Sequence, residues 1–282
     1  MPLDYPKNIL TYRFADEDPD TPRSAAACQW ATSLAALSGA QIEALVAVQH
    51  RSVPNVFGAS LVKNVVGHDN EAQDAAAKKA EQTLQEAARA AGVTADVRII
   101  AAALPEVREK VQARARLNDV TVIDAAPDAS GMERELLIDV MFYAARPVIV
   151  VPPSASQASL DTVIVGWDGT SPAARALHDA LPLLKGAGKV EVVTITGDKE
   201  LAEGAHAKDI VPYLQRHGVN AAARELTAQG DAAQQLLHHA TSSNAGLLVI
   251  GAYAHSRLRQ LVFGGFTSAL LKDCPVPLML SH

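Results

Sequence analysis

The sequence predicts an α/β fold, built as two tandem, open, mostly parallel five-stranded sheets flanked by helices. Apolar strand-like runs alternate with segments of helical period along the whole chain, the order that gives parallel sheets covered on both faces. The segment Arg146-Pro147-Val148-Ile149-Val150-Val151-Pro152 resembles Cys274-Pro275-Val276-Pro277-Leu278-Met279-Leu280, and each closes a strand, loop and helix succession, as in a repeat. Between the copies, Pro152 to Ser159 has linker composition. The chain of 282 residues then divides into 1–151 and 160–282, each near the usual domain size of ~100–150 residues.

In the first copy, Asn8 to Phe14 reads as a strand, Pro22 to Ser38 as an alanine-rich helix closed by Gly39, and Ile42 to Val48 as the second strand. Ser52 to Gly67 carries Pro54 and Gly58 and reads as an irregular insertion, followed by a helix from Glu71 to Ala91 with Gly92 at its end. Val97 to Ile100, a helix over Pro105 to Arg116, Val120 to Ile123, a helix over Glu133 to Tyr143 and Val148 to Val151 complete it. The second copy is more compact. Thr162 to Gly166 is a strand, and Ser171 to Leu184 a helix with Pro172 in its first turn and an apolar stripe at Ala173, Leu177, Leu181 and Leu184. Val190 to Thr196, a helix over Ala202 to His217, Ala222 to Leu226 and a helix over Asp231 to Ala240 follow, with Asp231 or Gly230 as the cap. Leu247 to Ile250, a helix over Ser268 to Lys272 and Val276 to Leu280 close the domain.

With 49% hydrophobic and 20% charged residues, the chain can fill substantial cores. No apolar run reaches the ~20 residues that cross a bilayer, and no leader pattern precedes the polar region Asp16 to Asp20. The expectation is a soluble, cytoplasmic protein. A formal charge of −6 without a long basic run argues against general nucleic-acid binding. Cys28 and Cys274 sit in apolar contexts typical of buried thiols.

Candidate binding residues gather in the second copy. Gly251 falls where the buried strand Leu247 to Ile250 ends, and loops and helix N-termini converge on crevices at such strand ends. Gly264-Gly265-Phe266-Thr267 immediately precedes the helix over Ser268 to Lys272, so freed backbone N–H groups there could hold an anion. Val163-Ile164-Val165-Gly166-Trp167-Asp168-Gly169-Thr170-Ser171 places the Asp168 carboxylate directly after the opening strand. It can accept hydrogen bonds from a ligand's donors or serve only to cap a turn or helix. His255, Ser256, Arg257 and Arg259 add donors after the loop.

This stretch resembles the nucleotide loop of the universal stress proteins, Gly-x-x-Gly, nine residues, then Gly-Ser or Gly-Thr. Gly251 falls on the first glycine, Ala254 on the second, Gly264 on the third and Gly265 on the hydroxyl position. Two of the four positions depart, and Thr267 stands near enough in sequence to supply the lost hydroxyl. The resemblance covers nearly the whole chain and implies that family's fold, which is similar to the adenine nucleotide alpha hydrolases. It further implies a stress-response sensor or regulatory module that binds ATP in residues 160–282, with AMP as the alternative and Mg2+ carried through the phosphates. The residues it assigns to the ligand are Asp168, Gly251, Ala254, Gly264 and Gly265; His255 and Ser256 join them by their position beside the loop, and Thr267 as the nearby hydroxyl. The competing reading is a structural or adaptor protein of the same fold without a nucleotide.

In the first copy, Asp124 stands where Gly251 stands in the second and no paired-glycine turn follows. A carboxylate there would repel phosphate, so residues 1–151 read as a degenerate copy. No dedicated catalytic set emerges. Adjacent His238 and His239 diverge on a helix instead of converging on a metal, no Gly-x-Ser-x-Gly elbow is present, and the loop lacks a P-loop lysine. Only slow ATP hydrolysis by a trapped water is compatible with these residues. The apolar terminal strands, Val148 to Val151 and Val276 to Leu280, need protection as edges. The resemblance implies that they pair, giving an intramolecular pseudo-dimer, with a homodimer and an unidentified protein partner as further assemblies.

Overall fold

The computed structural model describes residues 5–15, 25–50, 60–125, 132–197, 203–252, 270–271 and 274–282. In chain order the elements are β1 (Asn8–Phe14), α1 (Ala26–Ser38), β2 (Gln41–Gln49), α2 (Ser60–Ala90), β3 (Ala95–Ala102), α3 (Leu104–Ala115), β4 (Val120–Asp124), α4 (Met132–Tyr143) and β5 (Val148–Val151). The second half contains β6 (Thr162–Gly166), α5 (Ser171–Lys185), β7 (Lys189–Thr196), α6 (Ala207–Arg216), β8 (Ala221–Thr227), α7 (Ala232–Ser242), β9 (Leu247–Gly251) and β10 (Leu278–Ser281). Among the described residues no helix is long and apolar enough to cross a membrane.

The strands form one sheet in the order β3-β2-β1-β4-β5-β10-β9-β6-β7-β8, which corrects the expectation of two separate five-stranded sheets. Each half keeps the same parallel order. The halves meet where β5 and β10 run antiparallel, with Leu278 opposite Val150, Met279 opposite Ile149 and Leu280 opposite Val148. The physical reason is the apolar character of both terminal strands. Val148 to Val151 and Leu278 to Leu280 are buried throughout, and pairing satisfies backbone groups that a buried edge would leave unpaired.

Alternation along the strands sends side chains to two cores. On one face, Ile9, Val46, Val122, Ile149, Met279, Val249, Val165 and Val192 pack with Trp30 and Leu34 of α1, Leu177 and Leu184 of α5 and Leu214 of α6. Leu10, Leu45, Val148, Leu278, Leu248 and Ile164 face the other side, against Val107 of α3, Leu136 and Val140 of α4 and Leu236 of α7. Both cores run across the β5–β10 junction without a break. The linker joins in, since Ala155 and Ala158 pack on the first core and Ala158 N–H donates to Ser33 Oγ at 3.1 Å.

Two helix starts differ most from the sequence reading. α2 begins at Ser60, inside the stretch expected to be irregular. Leu61, Val62, Val65 and Val66 continue a helical spacing, and the interior Gly67 costs only about 1 kcal/mol. α6 begins at Ala207 instead of Ala202, because Gly204 adopts φ +78, a left-handed conformation that no α-helix accommodates. Of the expected helix over 268–272, residues 270–271 are helical and the rest lies outside the described residues.

Candidate functional site

The candidate site lies at the carboxyl ends of β6 and β9, where strand order reverses. From β6 the sheet continues to β7 and β8, and from β9 it continues to β10, the switch point at which open α/β sheets take ligands. Asp168 stands there, exposed, two residues beyond β6. Its Oδ1 accepts the Thr170 N–H at 2.9 Å and the Thr170 hydroxyl at 2.6 Å. Thr170 in turn caps α5, its Oγ1 accepting the Ala173 N–H at 3.4 Å. The carboxylate is thus oriented by the helix start that follows it. Its Oδ2 accepts no hydrogen bond from the described residues.

Gly251 ends β9 against the first turn of α5. A β-carbon at this position would lie 2.4 Å from the Ala173 nitrogen and 2.4 Å from the Pro172 carbonyl carbon. Main chain approaches main chain, so glycine is required here by packing alone. On the other side of Asp168, Gly169 adopts φ +75, and a β-carbon there would lie 2.9 Å from Ala205 Cα. Trp167 Nε1 donates to the Gly204 carbonyl at 2.9 Å, and buried Thr194 donates from Oγ1 to the Trp167 carbonyl at 2.9 Å. The segment after β7 is therefore fastened to the loop that carries Asp168. The sequence reading missed this role for Trp167 and Thr194. A tryptophan between Gly166 and the Asp-Gly pair was the available signal.

The remaining expected ligand residues, Ala254, His255, Ser256, Gly264, Gly265 and Thr267, lie outside the described residues, as do Arg257 and Arg259. The structure therefore brings Asp168 and Gly251 to the same end of neighbouring strands, on either side of the α5 N-terminus.

The first half uses the equivalent place differently. Asp124 ends β4, and its Oδ1 accepts the backbone N–H of Ala27 at the start of α1 at 3.0 Å. Here the helix N-terminus receives a carboxylate from its own chain, a favourable position for negative charge. Beneath it, Cys28 Sγ lies 3.7 Å from Thr11 Oγ1. Burial, with a smaller contribution from Asp124, pushes the Cys28 thiol up to about 11, which makes it a core thiol and not a nucleophile. Cys274 is likewise free.

Histidine–carboxylate pairs occur in the second half. His239 Nε2 is 2.9 Å from Glu191 Oε2, and His206 Nδ1 is 2.8 Å from Glu225 Oε1. Among the described residues no group of three or more His, Cys, Asp or Glu is placed to hold a metal ion.

These features define a class, a tandem α/β chain whose two halves share one topology but differ at the switch point. Residues 159–282 match the model of the universal stress protein family. Solved structures extend the similarity of fold to nearly the whole chain. A universal stress protein from Archaeoglobus fulgidus DSM 4304 aligns with a TM-score of 0.71 at 15% identity, covering 97% of this chain and 95% of that one. A putative universal stress protein from Pseudomonas aeruginosa UCBPP-PA14 aligns with a TM-score of 0.60 at 16% identity, over 98% of this chain and 92% of that one. A functionally unknown protein from Pseudomonas aeruginosa PAO1 aligns with a TM-score of 0.57 at 16% identity, over the same shares of the two chains. No curated protein matches the sequence.

Proposed function

We propose that residues 160–282 bind an adenine nucleotide, ATP or alternatively AMP, at the carboxyl ends of β6 and β9, and that the chain acts as a cytoplasmic sensor or regulatory module in a stress response. The observation that carries this reading is Asp168, an exposed carboxylate at the switch point with one oxygen fixed by Thr170 and the other available to ribose hydroxyls. The loop from Ala254 to Thr267 would supply phosphate contacts, and Mg2+ would arrive with the phosphates. Residues 1–151 are the degenerate copy, because Asp124 fills the helix start that an anion would need. The function is binding, with at most slow hydrolysis of the ligand.

One observation favours a second reading, a ligand-free adaptor. The packing of Gly251 on Pro172 and Ala173 accounts for that glycine without any nucleotide. Calorimetry with ATP, AMP and adenosine separates the two. The nucleotide reading expects saturable binding of one ligand per chain, weakened by Asp168→Ala about 10- to 150-fold, the equivalent of a hydrogen bond to a charged group. Absence of saturable binding at millimolar ligand would establish the adaptor reading instead.

A further inference from the structure

The junction of β5 with β10 consumes both terminal strands, so the sheet ends at β3 on one side and at β8 on the other. An open edge presents a row of unpaired N–H and C=O groups that can template another strand. What each edge can accept follows from which backbone groups face outward and which side chains stand between them.

In β3 two hydrogen bonds fix the phase. Ile42 N–H donates to the Thr94 carbonyl at 2.9 Å and His50 N–H to the Ala102 carbonyl at 3.0 Å, so the even-numbered residues of β3 direct their main chain toward β2. Ala95, Val97, Ile99 and Ala101 direct theirs outward, where the described residues offer them no partner.

A second copy could add to this edge antiparallel, about a two-fold axis normal to the sheet. Such an axis keeps every side chain on its own face, so each residue must meet one of the same parity. Centring the axis on Val97 places Val97 opposite Val97 and Ala95 opposite Ile99, and these outward-facing pairs exchange both backbone hydrogen bonds. The intervening pair is then Asp96 opposite Arg98, formed twice by symmetry. It is a non-hydrogen-bonded pair, the kind in which side chains approach more closely. The Asp96 and Arg98 side chains are 57% and 50% exposed and already pair with each other within the chain, so four charges of alternating sign would meet at the junction. Centring on Asp96 or on Arg98 instead sets like charges face to face.

The opposite edge does not offer this. In β8 the Val190 N–H donates to the Asn220 carbonyl and the Ala228 N–H to the Thr196 carbonyl, so odd-numbered residues face outward there. Its charged neighbours Arg224 and Glu225 differ in parity and lie on opposite faces. No two-fold register can therefore set one against the other.

We propose that the β3 edge is a docking surface for a second copy of this chain, paired antiparallel about Val97 and held in register by reciprocal Asp96 and Arg98 contacts. The test is sedimentation velocity over a concentration series with the wild-type chain, Asp96→Lys, Arg98→Glu and the double variant, each checked for folding by thermal unfolding. Wild type should shift toward twice the 29.7 kDa of one chain. Each single reversal should weaken association at least about tenfold, and the double variant, which restores opposite charges, should return to within about threefold of wild type. Should Arg98→Glu unfold because it sets a second acid near Glu43, hydrogen exchange on wild type decides the question. Amides of Ala95, Val97 and Ile99 should gain protection as concentration rises, while those of Ala221, Ala223 and Glu225 should not. A one-chain mass at every concentration overturns the proposal, as does association unaffected by Asp96→Lys, or protection that rises on β8 and not on β3.

Discussion

The Asp124 carboxylate accepts the Ala27 N–H at 3.0 Å at the place where, in the other half, Gly251 lies directly against the main chain of Ala173. Both residues end a five-residue strand, and both face the first turn of the helix that follows the opening strand of their half. One half closes this junction with a side-chain hydrogen bond. The other closes it by direct contact of backbone with backbone.

Asp124→Ala should therefore lower stability by about 0.5–2 kcal/mol, the usual cost of losing a helix cap, while Asp124→Asn, which keeps an acceptor oxygen, should lose less. Urea denaturation with an unchanged slope measures both. Equal losses for the two variants would mean that the bond to Ala27 is not the source of the effect.

At Gly251 even the smallest side chain is too large. Gly251→Ala must push the end of β9 away from α5, because the atoms it meets are backbone atoms that cannot rotate aside. A loss of about 1–3 kcal/mol is expected for such overpacking, seen as a lowered thermal midpoint. A variant as stable as wild type would show that the α5 N-terminus yields readily.

Glu191 makes acid stability sensitive to a single carboxylate. Its hydrogen bond from Lys189, and a second contact with His239, hold the Glu191 carboxyl below its ordinary 4.5 against the opposing effect of burial. The folded chain thus binds this proton more weakly than the unfolded chain, so the stabilisation is complete above about 4.5 and is lost as pH falls through the lower folded value. Glu191→Gln should be less stable than wild type at neutral pH, and the gap should close in the acid limb of a denaturation series. A gap independent of pH would remove Glu191 from the titration.

Burial pushes the thiols of Cys28 and Cys274 up to about 11 each, from an ordinary 9.0. At neutral pH the folded chain holds both as thiols, and a thiol-specific reagent should reach Cys28 only through opening of the structure. Deprotonation is easier in the unfolded chain, so this contribution to stability is full below about 9 and is lost as pH rises toward 11. Cys28 should label at the unfolding-limited rate, and prompt labelling of the native protein would contradict its placement beside Thr11.

The order of strands and helices was legible because parallel strands covered on both faces must be continuous apolar runs, as Val148 to Val151 and Leu247 to Ile250 are. Caps were legible where local chemistry sets them, as with Asp231, whose Oδ1 accepts the Gln234 N–H at 3.0 Å. Contacts between distant main-chain segments were not. Nothing in the neighbourhood of Gly251 reveals that Pro172 and Ala173 press on it, so a glycine required by packing reads from sequence like a glycine required by phosphate. Asp124 was legible as a negative charge at a strand end, but its engagement with Ala27 depends on how α1 is set on the sheet. Trp167 fastening Gly204 has the same character, a side chain spanning two loops that only the folded sheet brings together.

The antiparallel seam between β5 and β10 also changes what a mutation means. In an assembly of identical subunits every substitution appears on both sides of the symmetry axis, so neither site can be altered without altering its twin. Here the axis passes through a single polypeptide, and equivalent positions are free to part company. Glu43 on β2 is gripped by Arg114 of α3 through Nε and Nη2, whereas its counterpart Glu191 on β7 meets His239 of α7. The same freedom separates Asp124 from Gly251. A covalently joined pair can keep one half as scaffold while the other is shaped for a ligand, with the seam carrying both through every generation as one inherited unit.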